Sequence, residues 1–234
     1  MSKRFKGLIC AYCAHAEAIT GDHIFAREFF LNTRRANLPQ APTCEDCNNK
    51  KSILEHYLTT VLPFGAKHAD ASANLTSMVP KRLQKNRKLH RDLAEANTGS
   101  HIPIEDEKLA QLLCLIARGL NWHHWKVYVH HETHSVRSLT LSPVGVQFFN
   151  DCIFTQQAHC RVIENIGHGT FSYEGIQAKD DCALTFWRFS IYGGLSVTSD
   201  AFPAPSASQF VAFTCPRKLD AQLCRTLGVT NPLG

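Results

Sequence analysis

Two Cys-x2-Cys pairs constrain this chain more strongly than any other feature of its sequence. Cys10 and Cys13 form the first pair, Cys44 and Cys47 form the second, and 30 residues separate the pairs. Four thiolates at this spacing are typical of a tetrahedral structural zinc site, which is closed and does no chemistry itself. The alternative is four ordinary buried thiols. The six other cysteines show no such pairing and are predicted to be small core residues.

Length and composition favour a folded protein without a membrane span. The chain has 234 residues, of which 44% are hydrophobic, so it can bury a substantial core in one large domain or two small ones. No apolar run approaches the ~20 residues that a spanning helix needs. The apolar segment of the basic N-terminus is too short for a signal peptide. We therefore expect a cytoplasmic protein with no membrane partner, whose paired cysteines bind metal; the sequence predicts no oligomeric state.

The charge of the chain is concentrated in its first part. Residues 1–101 contain 15 Lys and Arg against 9 Asp and Glu, a net charge of +6. Residues 102–234 contain 10 against 11, a net charge of −1. The basic excess therefore lies in the part that holds the cysteine pairs. It predicts an acidic partner, and nucleic acid is the first candidate.

The first part of the chain is predicted to contain a short hairpin, a loop and a helix. The hairpin covers residues 8–24, and residues 25–47 are expected to be mostly loop. From Asn48 to Leu62, apolar residues recur at the i, i+3, i+4 spacing of an amphipathic helix. Pro63 follows at once and ends that helix.

The remaining pattern indicates the α+β class. A strongly basic helix is predicted from Pro80 to Ala96, a long helix over residues 104–125, and five strands with a short final helix after residue 126. Helices precede strands instead of alternating with them, so the β-rich C-terminal region is expected to be antiparallel. The predicted divisions are 1–65, a basic helical segment at 66–101, and 102–234, a helix plus sheet region of unknown role.

Four polar residues between and just after the cysteine pairs are candidates for chemistry: Asp22, His23, Asn37 and Asn48. Asp22 offers the hard oxygen ligand that Mg²⁺ prefers. His23 can accept a proton from water near neutral pH. Neighbours on a strand face opposite ways, so these two serve one site only at a strand end or kink, which Gly21 allows.

These residues, within segment 10–58, resemble the HNH endonucleases, whose ββα-metal finger holds one catalytic divalent ion. The resemblance implies that residues 1–65 form such a finger, stabilised by zinc. The zinc-containing branch of that family carries Cys-x2-Cys, an acidic residue with His-Ile, Asn-Leu, and Cys-x2-Cys-Asn. Here the corresponding stretches are "CAYC", "GDHIF", "ANL" and "CEDCNNKKS". Later stretches, "IARGLNWHHW", "FSYEG" and "WRFSIYGGL", also look similar to the less characterised remainder of such proteins.

The resemblance implies a role for each matching residue. His23 would be the general base, Asn37 would orient the loop that carries His23, and Asp22 and Asn48 would ligate a catalytic Mg²⁺ or Mn²⁺ separate from the structural Zn²⁺. The sequence departs from the branch at Phe25-Ala26, where Pro-Pro is frequent, and in the helix at 52–58. There, Glu55 or His56 either extends the metal shell or faces solvent, and solvent is favoured for His56.

The resemblance implies an endonuclease that cuts or nicks DNA, in defence against foreign DNA. RNA stays open as a substrate, because a finger that grips the backbone does not select the sugar. The alternative is a zinc-knuckle nucleic-acid-binding protein without catalysis. It would keep the four cysteines and the basic helix and leave Asp22, His23 and Asn48 idle.

Two groups of basic residues are candidates for phosphate contacts. Lys81, Lys85, Lys88 and Arg91 belong to the predicted basic helix, and Arg27, Arg34 and Arg35 belong to the finger loop. Such contacts position a nucleic acid without reading its sequence. The alternative for the helix is an ordinary solvated face. The histidine-rich stretch at 122–134 is predicted to be a helix end entering a strand rather than a metal site.

Overall fold

The computed structural model of the chain describes residues 3–96, 102–195, 197–198 and 210–227. Within them the protein is a mixed α+β structure, which confirms the predicted class. The strands are β1 Thr20–His23, β2 Gln40–Thr43, β3 Ile102–Pro103, β4 His134–Thr140, β5 Arg161–Ile166, β6 Phe171–Gln177, β7 Thr185–Ile191, β8 Val197–Thr198 and β9 Phe210–Pro216. The helices are α1 Glu45–Val61, α2 Ala69–Ser77, α3 Val79–Lys85, α4 Arg87–Ala96, α5 Asp106–Trp125, α6 Pro143–Thr155 and α7 Asp220–Thr226.

The first part of the chain forms two short antiparallel strands followed by a helix. β1 pairs with β2, and Asp22 stands opposite Ala41. Within residues 25–47, which were predicted to be mostly loop, β2 forms a short strand that was not predicted and contains Pro42. A proline lacks the N–H for a ladder bond, and a two-stranded sheet tolerates it because each strand has a free edge.

Helix α1 begins three residues before the predicted start. Cys44 is its N-cap residue in an extended conformation, and Glu45 and Asp46 occupy the first turn, where the helix dipole favours acidic side chains. The buried face includes Leu54 and Leu58. Ile53, which the apolar pattern included, is exposed instead.

The basic segment contains three helices instead of the single helix predicted from Pro80 to Ala96. α3 ends before Asn86, whose φ of −117° and ψ of 78° are not helical, and α4 begins immediately after it. The predicted single helix is therefore wrong. Of the boundary expected at residues 99–103, the first three residues lie outside the described ranges, and the last two form β3.

The second part is built on a five-stranded antiparallel sheet in the order β4-β9-β7-β6-β5. Its strands follow the sequence pattern. Helix α6 was not predicted; it begins after Ser142, whose Oγ accepts a hydrogen bond from Gly145 N at 3.1 Å. Among the described helices, none combines the length and apolar character required to cross a bilayer.

One large hydrophobic cluster joins the first part of the chain to the sheet. It contains Phe25 and Leu58 from the first part, Ile116 from α5, and Phe171 and Trp187 from the sheet. A smaller cluster lies between the sheet and the helices α6 and α7. The described parts thus share a core, and the division at residues 65 and 101 stays a prediction.

Candidate functional site

The two cysteine pairs come together although 30 residues separate them in sequence. The first pair lies in a tight loop, which a hydrogen bond of 2.8 Å from Cys10 N to Ala16 O closes. The second pair begins helix α1, with Cys44 at the N-cap position. A hydrogen bond of 2.9 Å from Ala11 N to Pro42 O joins the loop to β2. This backbone contact brings the pairs to one place.

The four thiols could hold one metal ion such as zinc. The Sγ atoms of Cys10, Cys13, Cys44 and Cys47 all lie within 4.8 Å of one another. With Zn–S bonds of about 2.3 Å, the sulfurs of a tetrahedral site are about 3.8 Å apart, so a contraction of at most about 1 Å completes the geometry. A hydrogen bond from the Cys47 thiol lowers the pKa of Cys10 to about 4. The cluster therefore carries negative charge near neutral pH, which a cation would neutralise.

A buried lysine connects α1 with both residues of the Asp22-His23 pair. The side chain of Lys51 has no exposed surface, and its Nζ lies 2.9 Å from Asp22 Oδ2 and 2.7 Å from the backbone oxygen of His23. Glu55, one turn further along α1, pairs with the same ammonium group. The hydroxyl of Tyr12 donates to Asp22 Oδ2 at 2.6 Å. Asp22 is thus held by a cation and a hydroxyl of the protein itself.

Burial sets the protonation of this network. Desolvation raises the pKa of Glu55 to about 7, although the charge of Lys51 opposes the shift. Burial and the charge of Asp22 raise the pKa of Tyr12, so its hydroxyl stays protonated and donates. His56 is exposed, as expected, and does not belong to the network.

The predicted ligands of the catalytic ion, Asp22 and Asn48, offer two oxygens of suitable chemistry. Asn48 precedes Lys51 by three residues, so both side chains lie on one face of α1. Both protein contacts of Asp22 use Oδ2; within the described residues, neither Asp22 Oδ1 nor the Asn48 side chain forms a hydrogen bond. Mg²⁺ accepts such oxygens together with water and phosphate. No group of three His, Cys, Asp or Glu ligands forms around Asp22 in the described ranges.

His23 is the last residue of β1, and its side chain contacts different groups from those that contact Asp22. The amide nitrogen of Gln40, its partner in the β1–β2 ladder, lies 3.1 Å from His23 Nε2 and donates to it. Burial lowers the pKa of His23, and the positive charge of Arg27 adds to the effect. The imidazole is therefore neutral near neutral pH, which is the form that accepts a proton.

His23 opens on a positively charged cleft of about 440 Å³. The ionisable side chains that line it are those of Arg4, His23, Arg35, His123 and Lys126. None of the described lining residues is acidic. Nε of Arg35 donates to Phe30 O at 3.0 Å, whereas its Nη2 is buried and has no hydrogen-bond partner among the described residues. Because the ionisable groups of the lining are basic, the cleft is suited to an anion.

Asn37 lines the same cleft, at the turn before β2. Its backbone is left-handed, with a φ of 57°, which asparagine tolerates better than most residues. The side chain is exposed and forms no hydrogen bond with the described residues. Its predicted role in orienting the His23 loop therefore stays a prediction, while Gln40 makes the observed contact.

The three arginines of the loop between β1 and β2 have three different surroundings. Arg27 is exposed. Arg34 forms an ion pair of 2.8 Å with the buried carboxylate of Asp70 and so ties the loop to α2. Arg35 lines the cleft. Of the three, only Arg35 therefore stands beside His23 in that cleft.

The basic residues of the central segment lie on the surface. Lys81 and Lys85 belong to α3, and Lys88 and Arg91 belong to α4. All four are exposed, and none forms an ion pair within the described part of the chain. Phosphate contacts by these residues stay a prediction.

The histidine-rich stretch forms a helix end and the start of a strand, as expected. α5 ends at Trp125, and β4 begins at His134, whose Nε2 lies 3.2 Å from Asp181 Oδ2. His130 and His131 are exposed. In the described residues, these histidines form no group that could hold a metal ion.

Sequence reasoning missed Lys51, Gln40 and the end of α5. Lys51 shares the buried face of α1 with Leu54 and Leu58, and a lysine at such a position is a signal of a buried ion pair. No local signal assigns Lys126 to the cleft, because the contact depends on tertiary structure.

Comparisons of the chain with protein-family models, with curated proteins and with solved structures give no match. The resemblance to HNH endonucleases therefore rests on the residues quoted above.

Proposed function

We propose that this chain is a metal-dependent endonuclease of the HNH type, which cuts or nicks DNA by hydrolysing phosphodiester bonds. The observation that carries the proposal is the position of His23. Its neutral imidazole opens on a cleft with a basic lining, while Asp22, its neighbour, faces α1 and the helix face that carries Asn48. A phosphodiester is an anion and would be attracted into such a cleft.

The residues of the chain have separate tasks in this proposal. Arg35, which lines the cleft, binds a phosphate oxygen and neutralises part of its charge. His23 takes a proton from the attacking water. If the side-chain amide of Gln40 rotated by half a turn, its oxygen would accept a hydrogen bond from His23 Nε2–H. Nδ1 of His23 would then be free to accept the proton from water. A divalent ion held by Asp22 and Asn48 would stabilise the departing 3′ oxygen.

The proposal is tested with supercoiled plasmid, purified protein and either Mg²⁺ or Mn²⁺. We expect nicked or linear product from the wild type and a loss of about 10²-fold or more in His23→Ala, the usual contribution of a general base. The exposed His56→Ala on α1 is the matched control and should keep full activity. If no metal supports cleavage by the wild type, the enzyme proposal is wrong.

A specific observation favours the second candidate, a zinc-knuckle nucleic-acid-binding protein. The Oδ2 atom of Asp22 is already engaged by Lys51 and Tyr12, as in a purely structural ion-pair network. This candidate predicts zinc-dependent binding of DNA without cleavage under any metal.

Single-stranded RNA in the same assay decides whether the cleft prefers RNA, which the phosphate chemistry alone does not distinguish.

A further inference from the structure

We infer that the C-terminal end of α5 is part of the substrate site, and that Lys126 contacts the phosphate backbone of duplex DNA whose scissile phosphate enters the His23 cleft. This inference rests on the proposed function for the identity of the anion. It assigns a substrate contact to the region beyond residue 101, which sequence analysis left without a role.

An aromatic contact fixes the end of α5 beside β1. Trp122 packs edge-to-face on Phe5, with ring centroids 5.8 Å apart. Phe5 in turn lies against Gly21, where a Cβ atom would come within 2.3 Å of the phenylalanine ring. The helix end therefore docks on the strand that carries His23, and its position relative to His23 is set by a packed core.

The same docking connects His123 to the catalytic histidine through one residue. Nδ1 of His123 lies 3.3 Å from the backbone oxygen of Gln40, and the side-chain amide of Gln40 contacts His23. Burial lowers the pKa of His123, so the neutral ring donates from Nδ1 to that oxygen. His123 is thus a positioning residue for Gln40, and the charge at this end of the helix comes from Lys126.

Contacts within the protein fix the position of Lys126 but do not use all the N–H donors of its ammonium group. It is the C-cap residue of α5 and has a left-handed backbone, with a φ of 58°. Its Nζ lies 4.0 Å from the ring centroid of Trp122 and donates to the backbone oxygen of His123 at 3.0 Å. An ammonium group has three N–H donors, and this is its one acceptor among the described residues. The remaining donors are available to a phosphate.

The cations around this cleft repel one another in the absence of a ligand. Burial lowers the pKa of Lys126, and the charge of Arg4 lowers it further. Glu28 and Glu164 act electrostatically on Arg35 and His123, but neither lines the cleft. A bound phosphate would relieve this repulsion.

The test measures binding of a short fluorescent DNA duplex over a series of salt concentrations. His23→Ala is the background in every protein, so that no cleavage occurs during the measurement. Lys126→Gln should lower the slope of log affinity against log salt by about 0.9, the value for one phosphate of duplex DNA that the protein no longer neutralises. Lys126→Arg, which keeps the charge, should restore the slope.

Lys108→Gln is the matched control. Lys108 lies in the first turn of the same helix, donates to Glu105 and stands 4.4 Å from the ring centroid of Tyr57. Its loss changes the net charge equally and should leave the slope unaltered. Equal slopes for the two glutamine variants would overturn the inference. Lys126→Asn repeats the test with a residue that tolerates a left-handed backbone, and thermal unfolding verifies that each variant is folded.

A plasmid assay run in parallel separates this inference from the proposed function. If the wild type nicks plasmid and Lys126→Gln keeps the slope of Lys108→Gln, the contact at α5 is refuted while the nuclease proposal stands. If the slope falls as expected and plasmid stays intact under every metal, the cleft binds DNA and the proposed catalysis is wrong.

Discussion

The ammonium nitrogen of Lys51 lies 2.9 Å from Asp22 Oδ2, and the lysine side chain has no surface exposed to solvent. The same nitrogen donates to the backbone oxygen of His23. One buried cation therefore fixes both a proposed metal ligand and the backbone of the proposed base. Since charges are costly to bury, this contact stabilises the site only as long as all partners are present.

Lys51→Met should destabilise the protein by about 3–5 kcal/mol, because it leaves the carboxylates of Asp22 and Glu55 buried without their cation. Urea unfolding of the zinc-loaded protein measures the effect. Lys50→Met, an exposed neighbour on the same helix, is the control and should change the free energy of unfolding by no more than about 0.5 kcal/mol. Similar values for the two variants would show that Lys51 is not part of a buried network.

The contrast between Lys51 and the rest of α1 shows what the sequence could predict. The periodicity of apolar residues predicts the helix and most of its buried face, because both depend on local spacing. The partner of Lys51 is Asp22, 29 positions earlier, and no local pattern identifies it. In the same way, the two cysteine pairs were predictable as ligands from their spacing, but the path that joins them, through Pro42 of β2, was not.

The composition of the cleft was harder to predict from the sequence. His23 and Asn37 were identified by motif, whereas His123 lies 100 positions after His23 and enters the site only because Trp122 packs on Phe5. The break at Asn86 also escaped prediction. A basic, continuous pattern favours one helix, and a single residue with a ψ of 78° is enough to divide it.

Removal of one cysteine should unfold the first part of the chain. Cys44→Ser deletes a thiolate and changes the N-cap residue of α1, and the fold of the loop that holds Cys10 and Cys13 is coupled to metal binding. We expect insoluble protein or loss of the zinc, measured by elemental analysis. Cys182→Ser, at an exposed cysteine outside the cluster, should retain one zinc per chain. A folded Cys44→Ser protein with its full zinc content would contradict the structural role.

The proposed zinc of the cysteine cluster and the proposed catalytic ion should respond differently to a chelator. Brief EDTA treatment should abolish cleavage while the zinc stays bound, because four thiolates hold zinc more firmly than oxygen ligands hold Mg²⁺. Adding Mg²⁺ back should restore activity. Loss of zinc and of activity in parallel would mean that one ion serves both purposes.

The stability of the protein should fall in acid because of His124. This histidine accepts or donates a hydrogen bond at 3.1 Å with Tyr173 and stands beside Trp187. Burial, followed by the charges of His123 and Lys126, lowers the pKa of His124 from 6.5 to about 4. Between pH 6.5 and about 4, the unfolded chain therefore binds a proton at His124 that the folded chain does not bind. The stabilisation is complete above pH 6.5 and is lost as the pH falls towards 4, by at most about 3 kcal/mol.

His124→Gln removes the titrating group and should flatten the dependence in that window. Unfolding free energies of both proteins between pH 4 and pH 7 measure it, with the difference between wild type and variant as the readout. That difference cancels acid effects that act on both proteins, such as protonation of the cysteine cluster. A difference that does not vary with pH would contradict a neutral, buried His124.

The exposed basic residues of α3 and α4 allow the positioning of a substrate to be separated from the chemistry at His23. If Lys85, Lys88 and Arg91 bind phosphates, their replacement by glutamine should weaken binding to every DNA sequence alike. The slope of log affinity against log salt should fall by about 0.9 for each phosphate that the variant no longer neutralises. Turnover at saturating DNA should change little, because His23 and Asp22 remain intact. His23→Ala should do the reverse and leave the salt slope nearly unaltered while cleavage collapses. A triple variant with the wild-type slope would show that these helices present only a solvated face.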